Sequence, residues 1–326
     1  MRILVTGASG FIGAKLVEVL TGQGHAVRAL MRPGREGPFL PANGVEPCRG
    51  DLGDQASLRA ACRGIDAVVN AAGALGKWGV PAEELERVNV RGVTHLMEAG
   101  REAGVSHVVH LSAGGVSGPM PPVPADERTP CRPRTPYERS KWRGEQAALE
   151  AHRRGGVPLT ILRPTFTYGP GDRHKLPLFR AVLRRRLVLI GDARSLIHPV
   201  FVDDVVSGIL CALSREGRGE TFLIGGPRAV TKRELLETIA DALGAPKRWP
   251  QLNRHLAFAL AVPAEAIGRV LRRDPPLTRG RVWMMGWSFG YRIDKAQQEL
   301  GYQPKMELRS GVDRTAAWYR RRGLLA

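Results

Sequence analysis

Tyr137 and Lys141 stand one helical turn apart in TPYERSKWRGE, residues 135–145, where a proline-rich stretch gives way to a helical pattern. Side chains at i and i+4 share a helix face, so a phenol and an ammonium spaced this way can converge on one spot. An ammonium beside a phenol favours the phenolate and draws the tyrosine from its usual value of about 10 toward neutrality. A phenol tuned in that way suits proton exchange with an alcohol or a ketone. The same spacing also arises in helices that merely carry a half-buried Tyr beside a solvated Lys, so other parts of the chain have to decide.

A second constellation does decide the cofactor class. TGASGFIG at 6–13 follows the strand-like RILVT and runs at once into an amphipathic stretch. In that context Gly7 permits the tight turn, Gly10 lets the backbone approach a pyrophosphate, and Gly13 allows close packing of helix on sheet. The helix N-terminus, opened by Phe11 and Ile12, would face the anion. A dinucleotide is therefore expected. At the end of the second strand, where an acidic residue holds the ribose of NAD, the chain reads RALMRPGR at 28–35. Met31 takes that position, Arg32 follows, and no carboxylate comes before Glu36. A guanidinium suits the extra phosphate of NADP, and Lys15 adds charge nearby. NADP(H) is accordingly expected over NAD(H); Arg32 as one more surface arginine is the other reading.

The elements that must hold these groups alternate along the chain. RILVT, HAVRALMR, VEPCRGDL, DAVVNAAG and VSHVVHLSA read as strands, separated by helical stretches that include a long one over 83–104. This predicts an α/β chain with a doubly wound parallel sheet of Rossmann type and right-handed crossovers. Seven prolines in residues 119–136 forbid regular structure there and mark a flap or lid. Strands and helices resume over 157–226, and after 227 the pattern turns to helices and irregular stretches. The expected division is a dinucleotide domain over 1–170, to which 195–226 return, and a smaller C-terminal α/β substrate domain from 171–194 and 227–326.

Composition narrows the class further. The chain has 326 residues, 43% hydrophobic and 25% charged, as a water-soluble folded protein would. Its 4 Cys lie far apart with no CxxC or Cys/His cluster, so neither a metal site nor a disulfide framework is expected, and a reducing cytoplasm is the expected home. MRILVTGASG lacks the regions of a signal peptide. The net charge of +18 comes from scattered arginines with no nucleic-acid motif, which fits a solvated basic surface and no nucleic-acid partner. The longest apolar run, LAFALAV at 256–262, is too short to span a bilayer. It reads as an amphipathic helix that lines an apolar pocket or, less in keeping with the rest, touches a membrane surface.

TGASGFIG, GDLGD at 50–54, NAAG at 70–73, the Tyr137/Lys141 pair and LRPTFTYGPGD at 162–172 resemble, in order, the extended short-chain dehydrogenases/reductases of the NAD(P)-dependent epimerase/dehydratase group. The likeness continues through HPVFVDDVV at 198–206 and DKAQQELGYQPK at 294–305. GKWG at 76–79 and PPLTR at 275–279 are most similar to the 3β-hydroxysteroid dehydrogenase and dihydroflavonol-reductase-like branch. The resemblance implies that Asp51 and Leu52 contact the adenine, that Ala71, Ala72 and Gly73 lie along the cofactor, and that Asn89 stands behind the active site. It implies that Lys141 also holds the nicotinamide ribose, that Pro164 backs the nicotinamide, and that Arg194 occupies the place of a substrate phosphate. It further implies a homodimer formed through the helices near 83–104 and 136–152.

One departure bears on activity. The family's catalytic hydroxyl position after the fifth strand falls on Ala113, and Ser112 stands one residue early. Adjacent strand residues face opposite ways, yet Gly114 and Gly115 allow the turn to re-aim Ser112; Ser117 is a second candidate. The Asp-Glu pair of sugar dehydratases is replaced by Gly114-Gly115, which argues against dehydration. The expected activity is alcohol–ketone interconversion on a bulky, sterol-like or polycyclic small molecule, with Tyr137 as acid/base, Lys141 tuning it and Ser112 assisting. A nucleotide-sugar epimerase is the alternative, and a non-catalytic NADP(H) sensor is a third.

Overall fold

Apolar β-branched runs such as ILV, AVVN and HVVHL carry hydrophobic side chains on both faces, which only a sheet covered on both sides can bury. The computed structural model describes residues 1–32, 34, 44–119, 124–191 and 193–325. Glu36 and residues 120–123 of the proline-rich segment lie outside the described residues. Strands β1 (Arg2–Thr6), β2 (Ala26–Met31), β3 (Val45–Arg49), β4 (Ala67–Asn70), β5 (His107–Leu111) and β6 (Leu159–Pro164) join Glu220–Ile224 in one parallel sheet. The order is β3-β2-β1-β4-β5-β6 with Glu220–Ile224 beyond β6, so the order reverses between β1 and β4. Ligands of such sheets bind at that switch point, off the carboxyl ends of the strands.

Alternation along each strand feeds two cores. Ile3, Val5, Val69, Val109 and Leu111 pack against Leu16, Val17 and Leu20 of helix α1 (Phe11–Gly22) and against Val205, Val206 and Ile209. Leu4, Val68, Val108 and Ile161 face the other way. They meet α2 (Gln55–Cys62) through Leu58, then Val93 and Leu96, and Ala148 of the long helix beginning at Pro136. A third core gathers Phe179, Leu236, Ile239, Val312 and Tyr319 from three helices in the C-terminal half, with Phe179 and Tyr319 edge to face at 5.1 Å.

The single long helix expected over 83–104 is instead interrupted. Helix α3 (Ala82–Glu86) passes through a π-helical turn, Arg87–Arg91, before α4 (Gly92–Glu102) resumes the ordinary pitch. The reason is tertiary and lies in what Asn89 holds, as described below. A second difference concerns the apolar helix Arg254–Val270. Only Ala257, Ala261, Glu265 and Gly268 are buried along it, and the other apolar side chains point outward rather than into a pocket.

Candidate active site

The turn after β1 takes the shape its glycines predict. Gly7 has φ +66, and a Cβ built on it would come within 2.8 Å of the Ala72 backbone. A Cβ on Gly13 would run into the Gly7 carbonyl, so α1 sits hard against the turn, and Gly10 N–H donates to Gly7 O at 2.8 Å. This leaves bare backbone at the start of α1, where Phe11 and Ile12 are half-buried and a Cβ built on Gly171 of the YGPGD segment would lie 3.5 Å from the Phe11 ring. The donor set of such a turn fits a pyrophosphate.

Beneath it runs a buried polar row that pattern reading missed. Register places Thr6 beside Asn70 and Asn70 beside His110 on three neighbouring strands. Thr6 Oγ1 donates to Asn70 Oδ1 at 2.6 Å and receives the Ala72 N–H at 3.2 Å. Asn70 Nδ2 meets His110 Nδ1 at 3.0 Å. Burial, then the nearby Lys141 charge, pushes the His110 imidazole well below its usual pKa. Every member is buried, so the row ties the glycine turn rigidly to β5.

Helix α5 (Pro136–Arg153) carries Tyr137 and Lys141, and its start is fixed by a capping box. Thr135 Oγ1 accepts the Glu138 N–H at 3.1 Å while Glu138 accepts the Thr135 and Arg134 N–H groups at 2.8 Å. That lock, with Pro136 in the first turn, sets where Tyr137 points. Across from it, a Cβ on Gly76 would lie 2.5 Å from Tyr137 Cβ, so the loop after β4 passes directly over the tyrosine. Lys141 is buried and donates to the Leu111 carbonyl at 2.6 Å.

The electrostatics differ from the expected tuning. Burial, with the Glu138 charge adding to it, pushes the half-buried Tyr137 phenol up to about 12 rather than toward neutrality. Burial also lowers Lys141 to about 8, against a smaller upward pull from Glu145. The ammonium is held by a backbone carbonyl and is itself desolvated, so its field does not outweigh what burial does to the phenol.

Asn89 is placed by the π turn at the back of this assembly. Its Nδ2 donates to Ala74 O and Ser140 Oγ, both at 2.9 Å, and its Oδ1 accepts the Ala74 N–H at 2.8 Å. Ser140 in turn donates to the Tyr137 carbonyl at 2.8 Å. Asn89 thus joins the loop after β4 to α5. Gly144 permits it, since a Cβ there would strike the Asn89 carbonyl.

The remaining expected residues fall as follows. Ala71 and Ala72 are half-buried at the end of β4, and a Cβ on Gly73 would lie 3.3 Å from Asn89 Oδ1 and 3.7 Å from Lys141 Nζ. Pro164 ends β6 with its carbonyl 3.4 Å from a Cβ built on Gly114. By alternation along β5 Ser112 shares the face of Val108 and His110, and its buried hydroxyl has no hydrogen-bond partner among the described residues. Ser117 is buried and unpartnered too. Leu52 turns its side chain into the core, where a Cβ on Gly92 would come within 2.7 Å of it. Asp51 accepts from Arg87 at 2.5 Å and from the Gly53 N–H at 2.7 Å. Burial raises its carboxyl, but these bonds and the Arg87 and Arg32 charges outweigh that and hold it below the usual range. Arg87, also paired with Glu84, is a contact that sequence spacing did not reveal. Arg32 is exposed directly after β2, and Arg194 is exposed well along the chain from it.

The NAD dependent epimerase/dehydratase family model matches residues 3–225. Sterol demethylase protein B of Methylococcus capsulatus is 31% identical over 338 residues, covering 100% of each chain. A 2-alkyl-3-oxoalkanoate reductase of Stenotrophomonas maltophilia is 29% identical, over 97% of this chain and 99% of that one. Among solved structures, the dTDP-glucose 4,6-dehydratase DesIV of Streptomyces venezuelae, with NAD and TYD bound, superposes with a TM-score of 0.81 at 29% identity, over 99% and 98% of the two chains.

Proposed function

Because the chain belongs to the NAD dependent epimerase/dehydratase family, extended short-chain dehydrogenases/reductases, we propose that it interconverts a secondary alcohol and a ketone with Tyr137 as the proton-transfer group. The observation that carries this is one loop. Residues 71–76 touch the glycine turn through Ala72, come within reach of Lys141 at Gly73, and cover Tyr137 at Gly76. These approaches support the reading of cofactor turn and acid/base pair as parts of one site.

Gly7, Gly10, Gly13 and the start of α1 would hold the dinucleotide phosphates, with Ala71, Ala72, Gly73 and Pro164 along its length. The bound nicotinamide would supply or take up the hydride. The chain's own residues handle the proton: the Tyr137 phenol, pushed up to about 12, is protonated at neutral pH, which suits donation to a carbonyl oxygen as it becomes an alkoxide. Lys141 orients against Leu111 O and sets the charge behind the phenol, and the unpartnered Ser112 hydroxyl would support the same oxygen. Residues 171–194 and 227–326 would supply the substrate site, and α4 with α5 the dimer contact.

A hydrophobic substrate fits the relatives, whose names speak of a sterol and of an alkyl-substituted oxoalkanoate. Dehydration is disfavoured because Gly114 and Gly115 occupy the place of the acid pair, and the nearest carboxylate, Glu138, is committed to the α5 cap. Cofactor absorbance followed with a panel of hydrophobic alcohols and ketones and of nucleotide sugars tests the reading. Net oxidation or reduction with the former supports it; conversion of a sugar nucleotide with no net change makes the enzyme an epimerase, and tight cofactor binding with no turnover makes it a sensor.

NADP(H) is the proposed cofactor, on the exposed Arg32 at the end of β2 and the neutralisation of Asp51 by Arg87. Arg32→Ala is expected to weaken NADP(H) binding about tenfold or more, the loss of a charge-assisted contact, with NAD(H) binding unchanged. Equal effects on both in fluorescence titration would remove Arg32 from cofactor choice.

A further inference from the structure

The helix Arg254–Val270 is apolar around almost its whole circumference, yet only a narrow stripe of it is buried. Leu256, Phe258, Leu260, Val262, Ile267 and Val270 are all exposed, Ile267 to 58% and Val270 to 83%. Between Leu256 and Gly268 its single charged side chain is Glu265, which is buried and bound to Arg279 at 2.8 Å. The outward arc therefore carries no charge. A helix that is hydrophobic all round is ordinarily covered.

What flanks it identifies the cover. Arg254 and His255 open the helix; Arg269, Arg272 and Arg273 close it, all exposed, with the exposed Leu271 among them. Among the described residues no helix is long and apolar enough to cross a membrane. An uncharged apolar arc with arginines at both ends matches a bilayer surface with anionic headgroups, where the apolar face enters the acyl boundary and the guanidiniums meet phosphates. A two-fold pairing of the same face would set these arginines against one another in a chain of net charge +18.

We propose that this face docks on an anionic lipid surface, laying the helix in the plane of the interface. The Arg269 guanidinium sits 5.8 Å from the Trp78 ring, in the loop that continues from Gly76 over Tyr137, so the docked face adjoins that loop. The docking does not rest on the reaction proposed above, because its readout is partition alone.

Vesicle sedimentation with the full chain tests it. Vesicles of phosphatidylcholine with phosphatidylglycerol should pellet the protein, pure phosphatidylcholine vesicles much less, and added salt should release it. Leu256→Ser/Phe258→Ser/Ile267→Ser should lower partition at least about tenfold, and Arg272→Glu/Arg273→Glu by a similar factor on anionic vesicles only. All five side chains are exposed, so the fold should survive; should the serine variant misfold, the lipid and charge comparisons still decide. Absence of the native protein from the anionic pellet overturns the proposal. So does equal partition on both lipids, or a concentration-dependent dimer that the serine variant dissolves in the absence of vesicle binding.

Discussion

Tyr137→Phe is expected to cut turnover by about 10²–10⁴-fold while leaving dinucleotide affinity and thermal unfolding unchanged. The hydroxyl is the only atom removed, and the ring keeps its place under Gly76 and behind the Thr135–Glu138 cap. Phenylalanine cannot give up a proton; a serine hydroxyl such as that of Ser112 is too weak an acid to replace the phenol, and Glu138 is used in the cap. Steady-state kinetics beside cofactor titration separates the two effects. Residual activity within a few-fold of the native enzyme would move the proton-transfer role away from Tyr137.

The largest loss of stability is expected at Glu145, one turn beyond Lys141. Its carboxylate is 1% exposed and binds the 5%-exposed Arg163 from β6 through both Nε, at 3.0 Å, and Nη2. Replacing it by Gln leaves a buried guanidinium without its counter-charge, which typically costs about 3–5 kcal/mol. Denaturant unfolding should register that loss, and the double variant Glu145→Met/Arg163→Leu should recover much of it. A loss under about 1 kcal/mol would mean that the pair is solvated in solution. The substitution should also reach the chemistry. Glu145 draws the Lys141 pKa upward against burial, so without it Lys141 falls below about 8. The ammonium is then lost at lower pH, and the alkaline limb of the activity profile should move to lower pH.

Local rules made the sheet and the glycine turn legible. A strand, three spaced glycines and an amphipathic helix leave few ways to close β1 onto α1, and the Gly13 contact with Gly7 is what that spacing demands. The capping box on α5 could be read from Thr135 and Glu138 for the same reason. What escaped reading depends on partners distant in sequence. The pKa of Tyr137 was expected to fall because Lys141 is four residues away, whereas burial by the rest of the fold dominates it. Thr6, Asn70 and His110 become a row only once strand register is known, and Arg87 reaches Asp51 across 36 residues. The period of the helix 254–270 told of apolarity and not of which side would be covered.

The π turn at Arg87–Arg91 has a consequence for how this chain tolerates change in length. Such a turn holds one residue more than an ordinary helical turn, so it is equivalent to an insertion absorbed without a loop. Removing one residue there would let a regular helix run unbroken from Ala82 to Glu102, a gain in local regularity. It would also rotate one flank against the other by about 100°. Asn89 would swing off Ala74 and Ser140, and the loop over Tyr137 would come loose from α5. Deletion of any one of these five residues therefore disturbs the site, whichever side chain is lost, and the irregular helix is the one whose length the site cannot spare.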